Sequence, residues 1–282
     1  MESLSSSSSS VTSSPNSKQV TDSGERNWVD LPRDSVLSIF RKLDSIDILI
    51  RPYNVCTIWR EISKDHSLYR TINMPNSADP NTKWELLNLC YRAVDYSFGH
   101  IIHINIENFA TDALLHHITN SYARHLQRLR LACCYNVTDQ EFSIGRSCPR
   151  LKTFKFNIQA YKYPRVEDDD DAFAIAQTMP GLRHLQLFGN KMTNDGLLAI
   201  LDGCLHLESL DIRQCFNINF NLVASVGKRF IEQVKYLRLP YDATDDYPFQ
   251  AAFDYASLAE DPDWFVYQDF LSDDDYEYYE VL

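Results

Sequence analysis

Histidine and cysteine are the first places to look for chemistry in this chain. The eight histidines, His66, His100, His103, His116, His117, His125, His184 and His206, never fall in a His-Glu-x-x-His arrangement, and no serine sits in Gly-x-Ser-x-Gly. Adjacent His116 and His117 on a predicted helix read as polar side chains facing solvent, not as a ligand pair. Among the seven cysteines, Cys133, Cys134 and Cys148 lack the Cys-x-x-Cys spacing that a zinc site uses. The acidic run Glu167 to Asp171 lacks the alternating ligands and central glycine of a calcium loop and reads as a solvated loop. There are 8 glycines and no Gly-x-Gly, which removes the motifs that bring backbone up to a nucleotide phosphate. The sequence predicts no catalytic residue, no metal site and no cofactor. It points to a binding protein, not an enzyme.

Charge narrows the class of partner. The net charge of −12 comes from 39 acidic and 27 basic residues, but Tyr241 to Leu282 holds 10 Asp and 3 Glu with no Lys or Arg. Residues 1–240 are left with 27 basic and 26 acidic groups. The folded part is therefore nearly neutral and shows no basic stripe of the kind that holds nucleic acid. No apolar run approaches the roughly 18 residues a membrane helix needs. Neither nucleic acid nor membrane is expected as a partner. The odd number of cysteines and the absence of a signal-peptide pattern at Met1 predict a reducing compartment, nucleus or cytoplasm.

The elements that would position a binding surface are legible in the spacing of apolar residues. Residues 1–26 hold eleven serines and no aromatic residue, a composition expected to stay a disordered leader, in which Ser5 to Ser10 could accept phosphate. Three short amphipathic helices follow, written by Val36, Ile39, Phe40 and Leu43, by Ile46, Leu49, Ile50 and Tyr53, and by Val55, Ile58, Trp59 and Ile62. Pro32 and Asp34 suit the first turn of the first helix, and Pro52 is expected to end or kink the second. So small a helical unit cannot bury three apolar stripes within itself, so part of this surface is expected to meet another chain or the rest of this one.

The residues Trp28 to Asp34, Ile39, Leu43, Ile46 to Leu49, Val55-Cys56-x-x-Trp59-Arg60 and Leu68-Tyr69 resemble an F-box, with Tyr69 where that family commonly has Trp. The resemblance implies docking onto a Skp-type linker protein and, through it, the cullin of an SCF ubiquitin ligase. Leu31, Pro32, Ile39, Phe40, Leu43, Ile46, Leu49, Val55 and Trp59 are the expected linker-binding residues.

Downstream, one pattern recurs at Ile101, Leu126, Leu151, Leu182, Leu207 and Val234, each opening an apolar-x-x-apolar-x-apolar string, with starts 25, 25, 31, 25 and 27 residues apart. Such a period is the mark of stacked leucine-rich repeats, and Tyr69-x-x-Ile72-x-Met74 would add a strand at the N-terminal end. Cys134, Asn190 and Cys215 fall at the ladder position after each strand, and Cys148 and Cys204 precede the next, a resemblance to the cysteine-containing class of these repeats. Thr111, Thr138 and Thr193 are placed to cap the helices. The six or so extra residues of the long interval are expected to bulge between strand and helix.

The expected fold is α/β: a three-helix F-box over residues 27–74, then a leucine-rich-repeat horseshoe over 75–240, a parallel sheet with outer helices, and an acidic aromatic-rich tail over 241–282. Strand side chains alternate, so the residues between the apolar positions line the concave face. Arg128, Arg130, Lys155, His184, Gln186, Phe188, Asp211, Arg213, Tyr236 and Arg238 are the expected target-binding residues, within a wider lining that includes His103, Asn105, Glu107, Ala132, Thr153, Asn157 and Ser209. This face leans basic, whereas the tail mixes its 13 acids with 12 aromatic residues. Two readings of that tail stand open: an exposed acidic tail, or a segment of which a part, about Asp263 to Tyr279, lies against the face and gates it or helps to bind a basic partner. Taken with the resemblance to plant F-box proteins with leucine-rich repeats, the expected role is substrate recognition in an SCF ubiquitin ligase. The alternative is a non-degradative scaffold that binds the linker alone.

Overall fold

The computed structural model describes residues 28–75, 82–121, 124–138, 144–158, 166–219 and 233–247. The serine-rich leader and Asp263 to Tyr279 lie outside the described residues.

The chain opens with three helices, α1 (Arg33–Phe40), α2 (Ser45–Ile50) and α3 (Thr57–Ile62). Their limits have local causes. Pro32 caps α1, and Asp34 lies in its first turn beside the positive helix end. The Asp44 carboxylate accepts from the Asp47 amide at 2.8 Å and caps α2, which stops before Pro52 opens a short 3-10 turn. At α3 the cap is a sulfur, with the Trp59 amide donating to Cys56 Sγ at 3.4 Å. Phe40 and Trp59 then meet edge to face, 5.4 Å between ring centres, and tie α1 to α3.

A sheet of seven parallel strands follows, paired strictly in chain order: β1 (Thr71–Met74), β2 (His103–Glu107), β3 (Arg128–Ala132), β4 (Thr153–Asn157), β5 (His184–Gln186), β6 (Ser209–Asp211) and β7 (Tyr236–Arg238). The register follows the sequence period, with His103 opposite Arg128, Arg128 opposite Thr153 and, across the long interval, Thr153 opposite His184. Helices α4 (Lys83–Tyr96), α5 (Asp112–Asn120), α6 (Ile144–Ser147), α7 (Asp170–Thr178) and α8 (Asn194–Gly203) pack each against the next. Between sheet and helices run rows of identical placement. Ile72, Ile104, Leu129, Phe154, Leu185 and Leu210 are all buried, and Met74, Ile106, Leu131 and Phe156 form the next row. Each repeat buries its apolar edge only because a neighbour covers it.

Polar groups pin the repeats together at the turns. The ladder thiols are donors: Cys134 Sγ reaches the carbonyl oxygens of Ala132 at 3.3 Å and Ile106 at 3.8 Å, and Cys215 Sγ that of Leu187 at 2.9 Å, one repeat back. Burial pushes the Cys134 thiol up to about 11, so it keeps the proton that it donates. Carboxylates link successive helix starts. Asp112 accepts from the Thr138 amide and hydroxyl at 2.8 and 3.1 Å, and Asp169 does the same for Thr193 at 2.7 and 2.7 Å. Thr111 and Thr193 also cap α5 and α8 as expected, accepting from Leu114 and Asp195 amides.

The acidic run is a solvated loop only in part: Glu167 and Asp168 are exposed and outside any helix. Asp170 and Asp171 begin α7, Asp169 binds Thr193, and Asp171 accepts from the Asn190 side-chain amide at 2.7 Å. The turns after β2, β3, β5 and β6 share a demand, with Asn108, Cys133, Gly189 and Gln214 all at positive φ, at corresponding repeat positions.

The helical unit is welded to the sheet. Buried Ser45 Oγ accepts from the Asn73 amide at 3.0 Å and donates to the Thr71 carbonyl at 3.3 Å, fixing the start of α2 to β1. Tyr69 is fully buried, donates to the Ser63 carbonyl at 2.5 Å and packs on Tyr96. The smaller ring thus exchanges the bulk of a Trp for a hydroxyl that satisfies the end of α3.

Candidate docking face and concave binding site

Two surfaces stand out. On the helical unit, Trp28, Ile39, Ile50, Val55 and Ile58 are exposed, five of the thirteen exposed large apolar side chains among the described residues, crowded into a short stretch of chain. Val55 is 55% and Ile58 48% exposed. Arg33, Thr57, Ile58, Glu61 and Ile62 line a shallow depression of about 320 Å³ between α1 and α3, and Arg33 pairs with Asp65 at 2.5 Å at its edge. So many exposed apolar side chains within one short stretch make this unit the candidate docking face.

The expected linker-binding residues divide. Pro32, Ile39 and Val55 are exposed; Leu31, Leu43, Ile46 and Trp59 are half-buried, with one side on the core. Phe40 and Leu49 are corrections. At 0% and 2% exposure they belong to the internal core and have no surface to offer a second chain. Helical spacing marks an apolar stripe without saying which edge of it faces inward. Trp28, Ile50 and Ile58, absent from the expected set, are exposed in their place.

On the concave face the strands deliver their side chains in rows. The middle row reads Asn73, Asn105, Arg130, Lys155, Gln186, Asp211 and Arg238 from β1 to β7. Its N-terminal part is one hydrogen-bonded chain. Asn105 donates to Asn73 at 2.6 Å, and Arg130 donates to Asn105 at 2.8 Å and Glu107 at 3.1 Å. The C-terminal part is another: Gln186 donates to Asp211 at 2.7 Å, and Arg213 grips Asp211 through Nε at 3.0 Å and Nη2 at 2.8 Å. Lys155 stands between the two and makes no hydrogen bond or ion pair with any described residue. Burial, with Arg130 close by, pushes its ammonium below the usual lysine range.

The third row is covered. Residues 241–247 cross the face beyond β7. Asp246 accepts from Arg213 at 2.6 Å and Arg238 at 3.0 Å, the Ala243 carbonyl accepts from Arg213 at 2.9 Å, and Tyr247 stacks on Phe188 with ring centres 3.9 Å apart. Phe188 at 4% and Arg213 at 3% exposure are thus corrected from open target-binding residues to the floor beneath this segment. Glu107, Ala132 and Asn157 are buried in the same row, and Asp211 is engaged by Arg213 and Gln186.

Arg128, His184, Tyr236 and Arg238 remain exposed, and Arg130, Lys155 and Gln186 are partly so. All of these but Arg128 border, with the covering segment, an open cavity of about 570 Å³, lined by Arg130, Lys155, His184, Gln186, Ser209, Tyr236 and Arg238 among others. The described part of the tail, residues 241–247, reaches the face. Its signal in the sequence is Asp245-Asp246-Tyr247, an acid beside an aromatic residue, directly after the last strand.

The chain is similar to known proteins over most of its length. The F-box-like family model matches residues 28–75, and a Leucine Rich repeat model matches residues 180–201. F-box/LRR-repeat protein 23 of Arabidopsis thaliana is 40% identical over 267 residues, covering 85% of this chain and 59% of that protein. F-box/LRR-repeat protein 21 of the same plant is 40% identical over 265 residues, 79% of this chain and 85% of its own length. F-box protein SKIP19, also from Arabidopsis thaliana, is 39% identical over 280 residues, 90% of this chain and 89% of the relative. The chain spans 59% of the first of these relatives.

Proposed function

We infer, from the family of F-box proteins with leucine-rich repeats to which this chain belongs, that it is a substrate-recognition subunit of an SCF-type ubiquitin ligase. The helices hold a Skp-type linker, and the concave face holds a target protein for ubiquitination by the enzyme that the cullin brings. The observation that carries this reading is the exposed apolar surface between Trp28 and Ile58, within the segment that the F-box-like family model matches. The chain acts by position, without chemistry of its own. A target bound to a rigid frame meets the transfer enzyme at high effective concentration, and the Ser45 and Tyr69 bonds that join the helices to β1 make that frame stiff. Nucleus or cytoplasm is the proposed setting.

The test is co-purification. Changing Leu31 and Pro32 to Ala together, or Ile58 to Asp, is expected to reduce recovery of the Skp-type linker at least tenfold, because truncating an apolar anchor costs on the order of 2 kcal/mol. Normal linker recovery from both variants overturns the docking face. Linker recovered without cullin assigns the chain to a scaffold outside the ligase.

A further inference from the structure

The concave face carries its own indication of what it recognises. Across it, hydrogen bonds satisfy the polar side chains in two networks, and Lys155 lies in the gap between them. A half-buried ammonium that makes no ion pair with a described residue is costly to hold. Its partial burial, with Arg130 beside it, disfavours its charge, Asp211 offsets part of that, and an incoming carboxylate would favour the charge further. Gln186 and Arg130 flank it on the neighbouring strands, and the cavity of about 570 Å³ opens over all three.

At the other end of the same cavity the chain binds a piece of itself. Asp246 sits between Arg213 and Arg238, and the next residue, Tyr247, lays its ring parallel to Phe188 at an interplanar angle of 4°. An acid followed by an aromatic side chain is thus a pairing this surface already accommodates. Charge-assisted hydrogen bonds supply orientation and the ring supplies buried area.

We propose that the target segment recognised by this face is an acidic peptide stretch with an aromatic residue beside the acid, one carboxylate of which seats on Lys155 in the gap between the two networks. The proposal rests on the target-binding role argued above and narrows it to a chemical class. Lysine-rich or neutral apolar segments are disfavoured, because they bring no carboxylate to Lys155.

The experiment uses the full chain and a fluorescent synthetic peptide, Gly-Asp-Asp-Tyr-Asp-Phe-Asp-Gly, titrated by anisotropy. Saturable binding is expected, weakened on the order of tenfold by Lys155→Gln and largely kept by Lys155→Arg. Replacing every Asp of the peptide by Asn should abolish it. Equal affinity for the Asn peptide, or no response to Lys155→Gln, overturns the proposal. So does binding seen only when the ten acidic residues after Tyr247 are changed to Asn and Gln, since the site would then belong to the chain's own acidic residues. Linker recovery measured on the same preparations reports the docking reading separately. Linker retained with peptide ignored sinks the peptide proposal alone; peptide bound with linker lost sinks the ligase reading alone.

Discussion

At the scale of single residues, Asp169 shows how little separates a loop acid from a structural one. Its carboxylate takes both the amide and the hydroxyl of Thr193, one repeat on, and it can do so because residue 196 is a glycine. A Cβ there would stand 2.9 Å from Ala172 Cβ and collide with the Asp169 carboxylate. Asp169→Ala should cost about 1–3 kcal/mol, since the Thr193 amide and hydroxyl, half-buried, lose their acceptor. Gly196→Ala should cost a similar amount by displacing the same carboxylate. Because the two act on one contact, the double variant is expected to fall well short of the sum. Urea denaturation of the four proteins measures this; full additivity would show that Gly196→Ala acts through something other than the Asp169 carboxylate.

At the scale of elements, the sequence period was enough to place nearly every strand, because a repeat of this kind can bury its apolar edge in only one register. The strand starting positions agree with the register from β2 to β7, the long interval included. The helical unit was legible to a lesser depth. Its three helices follow from their stripes and caps, but which residues face out depends on how the helices pack, and spacing carries no such information. Phe40 is the clearest case, since it occupies the same stripe as Ile39 and turns inward against Trp59. The covered row of the concave face was hidden for a related reason. Alternation places Phe188 and Arg213 on that face, and only the path of residues 241–247 shows that they are roofed. Two substitutions separate inside from outside on the helices. Phe40→Ala should lower stability by about 3–5 kcal/mol, whereas Ile58→Asp should leave the melting temperature within a few degrees of the parent and affect only linker binding. Calorimetry on the pair decides it, and a large loss with Ile58→Asp would mean that this side chain belongs to the core.

At the scale of the whole molecule, the acidity of the chain is gathered after the last strand, and the first part of that acidic stretch is tied to the face it borders. The tie is electrostatic at one residue. Arg213, then Arg238, hold the Asp246 carboxyl below its ordinary value of 3.8. A carboxyl whose folded value is depressed stabilises the folded contact fully above 3.8, and that contribution is lost as the pH falls through the lower folded value. Acid should therefore lift residues 241–247 from the face, and salt should act in the same direction, because Asp246 is more than half exposed and open to screening. The stacked ring of Tyr247 is the reporter. Its proton resonances, assigned with Tyr247→Phe, should be shifted by the Phe188 ring at pH 7 and move toward free tyrosine below about pH 3.8, while core methyl signals hold. In Asp246→Asn the shift should be smaller at pH 7 and lack that acid midpoint. If the variant titrates like the parent, the ring is held by stacking alone, and the charge at Asp246 has no part in closing the concave face.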